Sequence, residues 1–235
     1  MGLEKDKKVD ILAFSAHPDD AELSCSGTLA KYVASGKKVA IIDLTEGEMG
    51  TRGSVESRRI ESSNASSILG IHYRENLQIA DCDIQNNLVN RLKLINILRT
   101  YQPEVVLCNA PSDRHPDHGK AATLQIEACF YSGLVKIKTT DSDGITQSAF
   151  RPKLIFHYIQ DQWLEPDIVI DISEYFEKKL ESIRAFKTQF FDPNSNEPQT
   201  YISDEKYFDY IRSRSSAMGH MIGVRFGEGF IKRKM

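Results

Sequence analysis

Short apolar runs of strand length alternate with segments of helical spacing along most of this chain. That alternation constrains the fold more than any other feature, because it calls for a parallel sheet joined by crossover helices. Residues 9–16 and "KKVAIIDLT" (37–45) read as the first two strands. Between them lies a helix whose Leu23, Gly27, Ala30 and Ala34 are spaced to face a sheet and which ends near Ser35 and Gly36. "SVESRRIESSNASSIL" reads as the next helix, opened by a serine and closed before Gly70. A short strand over 76–79, a helix over 87–100 burying Leu88, Leu92, Ile95 and Leu98, and a strand at "PEVVLCNA" follow. Strands at "KLIFHYI" and "DIVIDI" and helices over 173–189 and 204–217 complete the pattern, while 139–150 and 192–200 carry turn chemistry. The glycine-rich "MGHMIGVRFGEGF" (218–230) reads as a loop shaped around the site or a neighbouring subunit. The expected architecture is a doubly wound, mostly parallel α/β sandwich of Rossmann-like type, forming one domain over residues 1–235.

With 40% hydrophobic residues there is enough chain for one sizeable core. The balance of 30 basic against 33 acidic residues argues against nucleic acid as the main partner. "MGLEKDKKVD" lacks the apolar segment of a secretory signal, and no stretch approaches the roughly 20 apolar residues of a membrane span, so a soluble cytoplasmic protein is expected. Cys25, Cys82, Cys108 and Cys129 form no CxxC pair, which suggests buried thiols and neither a disulfide framework nor a thiolate zinc site.

Ligands of such sheets bind beyond the carboxyl ends of the strands. Three of those positions are rich in chemistry: "HPDD" (17–20) after the first strand, "TEGEMGTRG" (45–53) after the second, and "PSDRHPDHG" (111–119) after the fourth. The two histidine segments echo each other, and both precede helix-compatible sequence. A catalytic zinc takes three nitrogen or oxygen ligands and keeps a position for water. His17 and Asp20, three apart, can grip one ion from a single turn; His118 or His115 could supply the third ligand. The prolines stiffen both turns. A spare carboxylate is then free to act as a base, although spacing alone does not choose between Asp19 and Asp20, and both are also placed to cap the following helix. His72, His157 and His220 stand without such company and read as packing or surface residues. The glycines of "GEMGTRG" do not match a dinucleotide fingerprint.

"AHPDDAE" (16–22) and "HPDH" (115–118), in this order, resemble the PIG-L/LmbE-like zinc deacetylases, which remove acetyl groups from N-acetylglucosamine conjugates. "TEGEMGTRG", "DRHPDHG", "EKKLESIRAFKTQF" and "GVRFGEGF" extend the likeness over nearly the whole chain toward the N-acetylglucosaminyl-malate deacetylases of bacillithiol synthesis, with "EMG" where that branch usually has "ELG". The resemblance implies that His17, Asp20 and His118 bind zinc, that Asp19 is the general base, and that His115 assists as acid or electrostatic stabiliser. It also implies a homo-oligomer and a small-molecule sugar conjugate as substrate.

Two arginines bear on that substrate. A guanidinium matches a carboxylate through two parallel hydrogen bonds. Arg52, between Gly50 and Gly53, and Arg114, beside His115, are apt contacts for malate, although each could instead form a structural ion pair. Glu48 could orient Arg52 or bind sugar hydroxyls. Iron, cobalt or manganese also suits such a donor set. Two other readings use the same residues, a phosphoesterase and a non-catalytic sugar-binding protein. The first usually needs two metals; the second would have no use for a spare base and a spare acid.

Overall fold

The computed structural model describes residues 7–234. The chain runs β1 (Ile11–Ser15), α1 (Asp20–Ala34), β2 (Val39–Asp43), α2 (Val55–Leu69), β3 (Tyr73–Asn76), α3 (Leu88–Tyr101) and β4 (Val105–Cys108). It continues through α4 (Pro116–Tyr131), β5 (Leu154–Tyr158), β6 (Ile168–Asp171), α5 (Phe176–Arg184), α6 (Tyr207–His220) and β7 (Gly227–Arg233). The strands form one seven-stranded sheet in the order β3-β2-β1-β4-β5-β7-β6. β1 to β5 pair in parallel, and β7 runs antiparallel to both its neighbours. Ile11 stands opposite Val39 on one side and Val105 on the other, so the winding direction reverses between β1 and β4.

Every residue of β1 and β2 is buried, which is why these strands read as continuous apolar runs rather than alternating ones. On one face Leu12, Phe14, Ile42 and Val106 pack against Leu94 and Leu98 of α3 and Leu124 of α4. On the other, Ile11, Ala13, Ile41 and Leu107 meet Ala21, Cys25 and Leu29 of α1. A third cluster joins α5 and α6 through Phe176, Leu180, Ile211 and Phe226. The layered α/β fold expected from the sequence is present, as a mixed sheet.

The boundaries fall where the local chemistry puts them. Ser54 caps α2 in a reciprocal pair with Ser57, and Gly70 closes it in the left-handed conformation. β3 lies at Tyr73–Asn76 rather than 76–79, because Gln78 takes φ 50° and ends the extended run. α5 starts at Phe176, after Asp171 and Ser173 bond each other in a turn, and ends at Arg184 rather than near 189. Leu88 is 62% exposed and Ala34 is exposed, so neither contributes to the helix face expected of it. Cys82 is likewise exposed, while the other three cysteines are buried.

The segment 218–230 is not a loop. It finishes α6 and then forms β7, a strand whose glycines have a packing reason. A Cβ on Gly227 would stand 2.6 Å from Val169 and 2.9 Å from the Gly219 backbone. β7 also carries Glu228, whose carboxylate accepts from the main-chain N–H groups of Gly27 (3.0 Å) and Thr28 (2.7 Å). Lys179 donates to Glu228 at 2.6 Å and to the Leu23 carbonyl at 2.7 Å. The Leu23 carbonyl and Gly27 N–H are one step of the helical ladder. A buried ion pair is thus spliced onto α1 just beyond its first turn.

Lys179→Met should lower stability by about 3–5 kcal/mol, since it leaves a buried carboxylate without its cation, and the double variant with Glu228→Gln should recover part of that loss. Urea unfolding measures both; equal stability of Lys179→Met and the native chain would contradict the assignment.

Candidate active site

The turn after β1 folds back on itself. The N–H of His17 donates to Asp20 Oδ2 at 3.0 Å, and that of Asp20 to the His17 carbonyl at 3.3 Å. Asp19 precedes α1 with φ 116°, a strained conformation for a residue with a side chain, and its carboxylate makes no capping bond. It faces the cavity instead, with Oδ2 3.3 Å from Arg58 Nη1. Arg58 also donates to the Pro18 carbonyl and to Gln189, each at 2.6 Å. Gly47 and Gly50 leave room for that guanidinium; a Cβ on Gly47, where φ is 68°, would lie 3.2 Å from its Cζ. Burial, reinforced by the neighbouring Asp20 carboxylate, pushes Asp19 up to about 7 against the pull of Arg58.

The second histidine motif lies across the switch point, where α4 begins after β4. His115 caps α4, its Nδ1 accepting from the Asp117 N–H at 3.3 Å, and Pro116 occupies the first turn. His118 Nδ1 lies 2.5 Å from Asp113 Oδ2, and its Nε2 lies 3.1 Å from Asp20 Oδ1. The His17 Nδ1 is 3.7 Å from Asp20 Oδ2, and its Nε2 is 3.1 Å from Asp81 and 3.5 Å from Asp117. Ring nitrogens of His17, His115 and His118 all fall within 4.8 Å of one another. Burial disfavours the His118 cation, but Asp20 and Asp113 outweigh it and raise His118 to about 9. Burial and the charge of the other two imidazoles lower His115.

These donors fit a divalent ion. Asp20, Asp81, Asp113 and Asp117 are carboxylates buried around His17 and His118, an excess of negative charge that a dication balances. His17 Nδ1 and His118 Nε2 both face the Asp20 carboxylate while their other ring nitrogens are held by Asp81 and Asp113, and imidazole and carboxylate donors of this kind suit a transition metal.

Of the expected site residues, His17, Asp19, Asp20, His115 and His118 share one cavity. Arg114 lines its mouth, half-exposed, with Nε 3.1 Å from Asp161 and its guanidinium 4.3 Å over the Tyr201 ring. Arg52 does not line it: its Nη2 donates to Ser195 at 2.8 Å and its Nε lies 3.6 Å from Glu197. Glu48 accepts from the Asp81 N–H at 2.8 Å, tying two loops together. His157 is buried with Nδ1 2.6 Å from the Asn109 carbonyl, His72 accepts from the Val39 N–H, and His220 is exposed.

Arg58, Asp81, Asn109, Asp113 and Gln160 were not found from sequence. Asn109 donates to Asp20 at 3.1 Å and Gln160 at 3.0 Å. The strand-end rule, extended to β3 and β5, points at Asp81 and Gln160. Asp113 stands five residues before His118 inside a segment already singled out.

The sequence between residues 12 and 129 matches the family model described as PIG-L, GlcNAc-PI de-N-acetylase. The chain belongs to the PIG-L family. A diacetylchitobiose deacetylase of Thermococcus kodakarensis is 30% identical over 229 residues, covering 93% of this chain and 81% of that one. A probable N-acetyl-alpha-D-glucosaminyl L-malate deacetylase 2 of Bacillus anthracis is 25% identical over 193 residues, covering 77% and 81%. Among solved structures, a conserved protein of Thermus thermophilus superposes with a TM-score of 0.83 at 32% identity, covering 95% of this chain and 94% of that one. As a PIG-L member the chain is an enzyme, a deacetylase that hydrolyses N-acetyl amides. No helix among the described residues is long and apolar enough to cross a membrane.

Asp113→Ala should weaken divalent-metal affinity by about 10- to 100-fold, because it frees the His118 ring to turn. Competition with a chromophoric chelator reads this directly, and unchanged affinity would remove Asp113 from any part in holding the ligand.

Proposed function

We propose that the chain is a zinc-dependent deacetylase of a small N-acetylglucosamine conjugate, with His17, Asp20 and His118 as the metal ligands, Asp19 as general base and His115 as its proton-handling partner. The observation that supports it best is the convergence, across one strand switch, of three imidazoles whose ring nitrogens lie within 4.8 Å of one another with the Asp19 and Asp20 carboxylates lining the same cavity. His115 uses Nδ1 to cap α4, which leaves Nε2 for substrate.

Zinc bound there supplies Lewis-acid chemistry, polarising the amide carbonyl and acidifying water. Asp19 Oδ takes a proton from the attacking water, and Arg58 fixes that carboxylate's direction. His115 stands where negative charge develops on the carbonyl oxygen and can stabilise it. The carbon–nitrogen bond then breaks as the amine receives a proton from Asp19 or His115, giving acetate and a free amine. Asn109 and Gln160 hold Asp20 from β4 and β5 throughout, so the ligand does not swing.

For the remainder of the substrate we infer a malate conjugate, bound through Arg114 at the mouth and through Arg52 once it leaves Glu197. A second reading, a second sugar unit in place of malate, is favoured by the engagement of Arg52 with Ser195 and Glu197 and by the tyrosine ring under Arg114.

Acetate release from N-acetylglucosaminyl-malate, diacetylchitobiose and N-acetylglucosamine, with metal-stripped and zinc-reloaded protein, separates the readings. Zinc-restored release with preference for the first supports malate and for the second supports the disaccharide; no release from any despite bound zinc would reject the proposed substrate class. Asp19→Asn should keep its metal and lose on the order of 100-fold or more in turnover, whereas His118→Ala should lose metal as well as rate. Arg114→Lys should raise KM about tenfold for the malate conjugate and leave N-acetylglucosamine unchanged, and equal effects on both would place Arg114 in a structural role.

A further inference from the structure

The cavity does not end at the histidines. Its volume is about 230 Å³. Its two ends differ. The mouth is wet, with Met49 at 66% and Tyr210 at 39% exposure. The inner end is walled by Leu23, Ile159, Ile211 and Met218, the last three buried at 4, 5 and 2% exposure. Leu23 lies one turn along α1 from Asp19 and Asp20, and Ile159 precedes Gln160, which touches both Asp20 and His118. The inner chamber therefore opens beside the carboxylate at the centre of the site.

Gly229 on β7 makes room for two of these wall residues. A Cβ there would stand 2.9 Å from Met218 Sδ and 3.2 Å from Ile159 Cδ1, and would drive both side chains out of place. The buried Lys179–Glu228 pair forms the floor.

An amide carbonyl carbon carries three substituents. With its oxygen at the His17, Asp20 and His118 cluster and the hydroxylated sugar on nitrogen toward the wet mouth, the acyl carbon chain points inward. The apolar wall of Leu23, Ile159, Ile211 and Met218 lies in that direction. Resting on the deacetylase reading above, we propose that this chamber is an acyl subsite that admits N-acyl groups of three and four carbons, so that the chain also hydrolyses N-propionyl and N-butyryl glucosamine conjugates. The reaction balances as before: water adds, the carbon–nitrogen bond breaks, and a short-chain carboxylate and a free amine result. Each methylene buried against Leu23, Ile211 and Met218 contributes about fourfold in binding, which offsets the ordering of the longer chain. The charged floor marks the limit of the chamber.

The test compares kcat/KM for N-acetyl, N-propionyl and N-butyryl forms of one glucosamine conjugate with zinc-loaded enzyme. Values for the longer acyl groups within tenfold of acetyl are expected; values more than tenfold lower, with acetyl cleaved normally, would overturn the acyl subsite and leave the deacetylase reading intact. Failure to cleave the acetyl form as well would reject both. Ser215 lies on the α6 face between Ile211 and Met218, buried and lining the same chamber. Ser215→Leu should cut butyryl hydrolysis at least tenfold and leave acetyl within twofold, and Met218→Ala should raise the butyryl-to-acetyl ratio. A ratio unmoved in both variants would overturn the proposal.

Discussion

The carboxylate of Asp20 is the junction on which the site depends. One oxygen meets His118 and the Gln160 amide, while the other meets the His17 N–H and Asn109. These partners come from the turn after β1, from the ends of β4 and β5, and from α4. A residue with one short side chain can join them only because parallel strands end together and the winding reverses between β1 and β4. Burial would by itself raise this acid, but the two imidazoles hold it well below the usual carboxylate range. In a cavity this well buried an unpaired carboxylate is costly, so the arrangement favours any cation placed among the donors.

Strain and support are distributed around that junction. Asp19 holds a positive φ of the kind that costs roughly 1–3 kcal/mol and persists only where the surroundings over-determine it. Those surroundings are visible: Arg58 binds both the Pro18 carbonyl and the Asp19 carboxylate, and Gln189 fixes Arg58 and the Arg52 carbonyl. The Lys179–Glu228 pair anchors α1 just past the same turn. The strained acid is thus clamped from α2, from the segment after α5 and from β7.

Much of this was legible in the sequence, for a physical reason. The residues that meet in the cavity lie within a few positions of a strand end, so His17, Asp19, Asp20, His115 and His118 could be picked out as neighbours from local motifs and the order of strands. Arg52 illustrates the limit. Its flanking glycines suggested a ligand loop, but its partners are Ser195 and Glu197, more than 140 residues away, and of the two glycines Gly50 makes room for Arg58 while Gly53 packs against Thr188 and Ser57. β7 was hidden because Gly227 and Gly229 look like loop residues until the side chains pressing on them are seen. Asn109 and Gln160 are ordinary amides whose role exists only once the sheet has aligned their strands.

In the proposed metal site the Asp20 carboxylate, rather than a third imidazole, completes the ligand set, leaving His115 free. Anomalous diffraction at the zinc edge from crystals of the zinc-loaded enzyme tests it most directly. The expected result is a single peak at about 2.0–2.2 Å from a nitrogen of His17, a nitrogen of His118 and an oxygen of Asp20. A peak bonded to His17, His115 and His118, with Asp20 outside bonding distance, would contradict it.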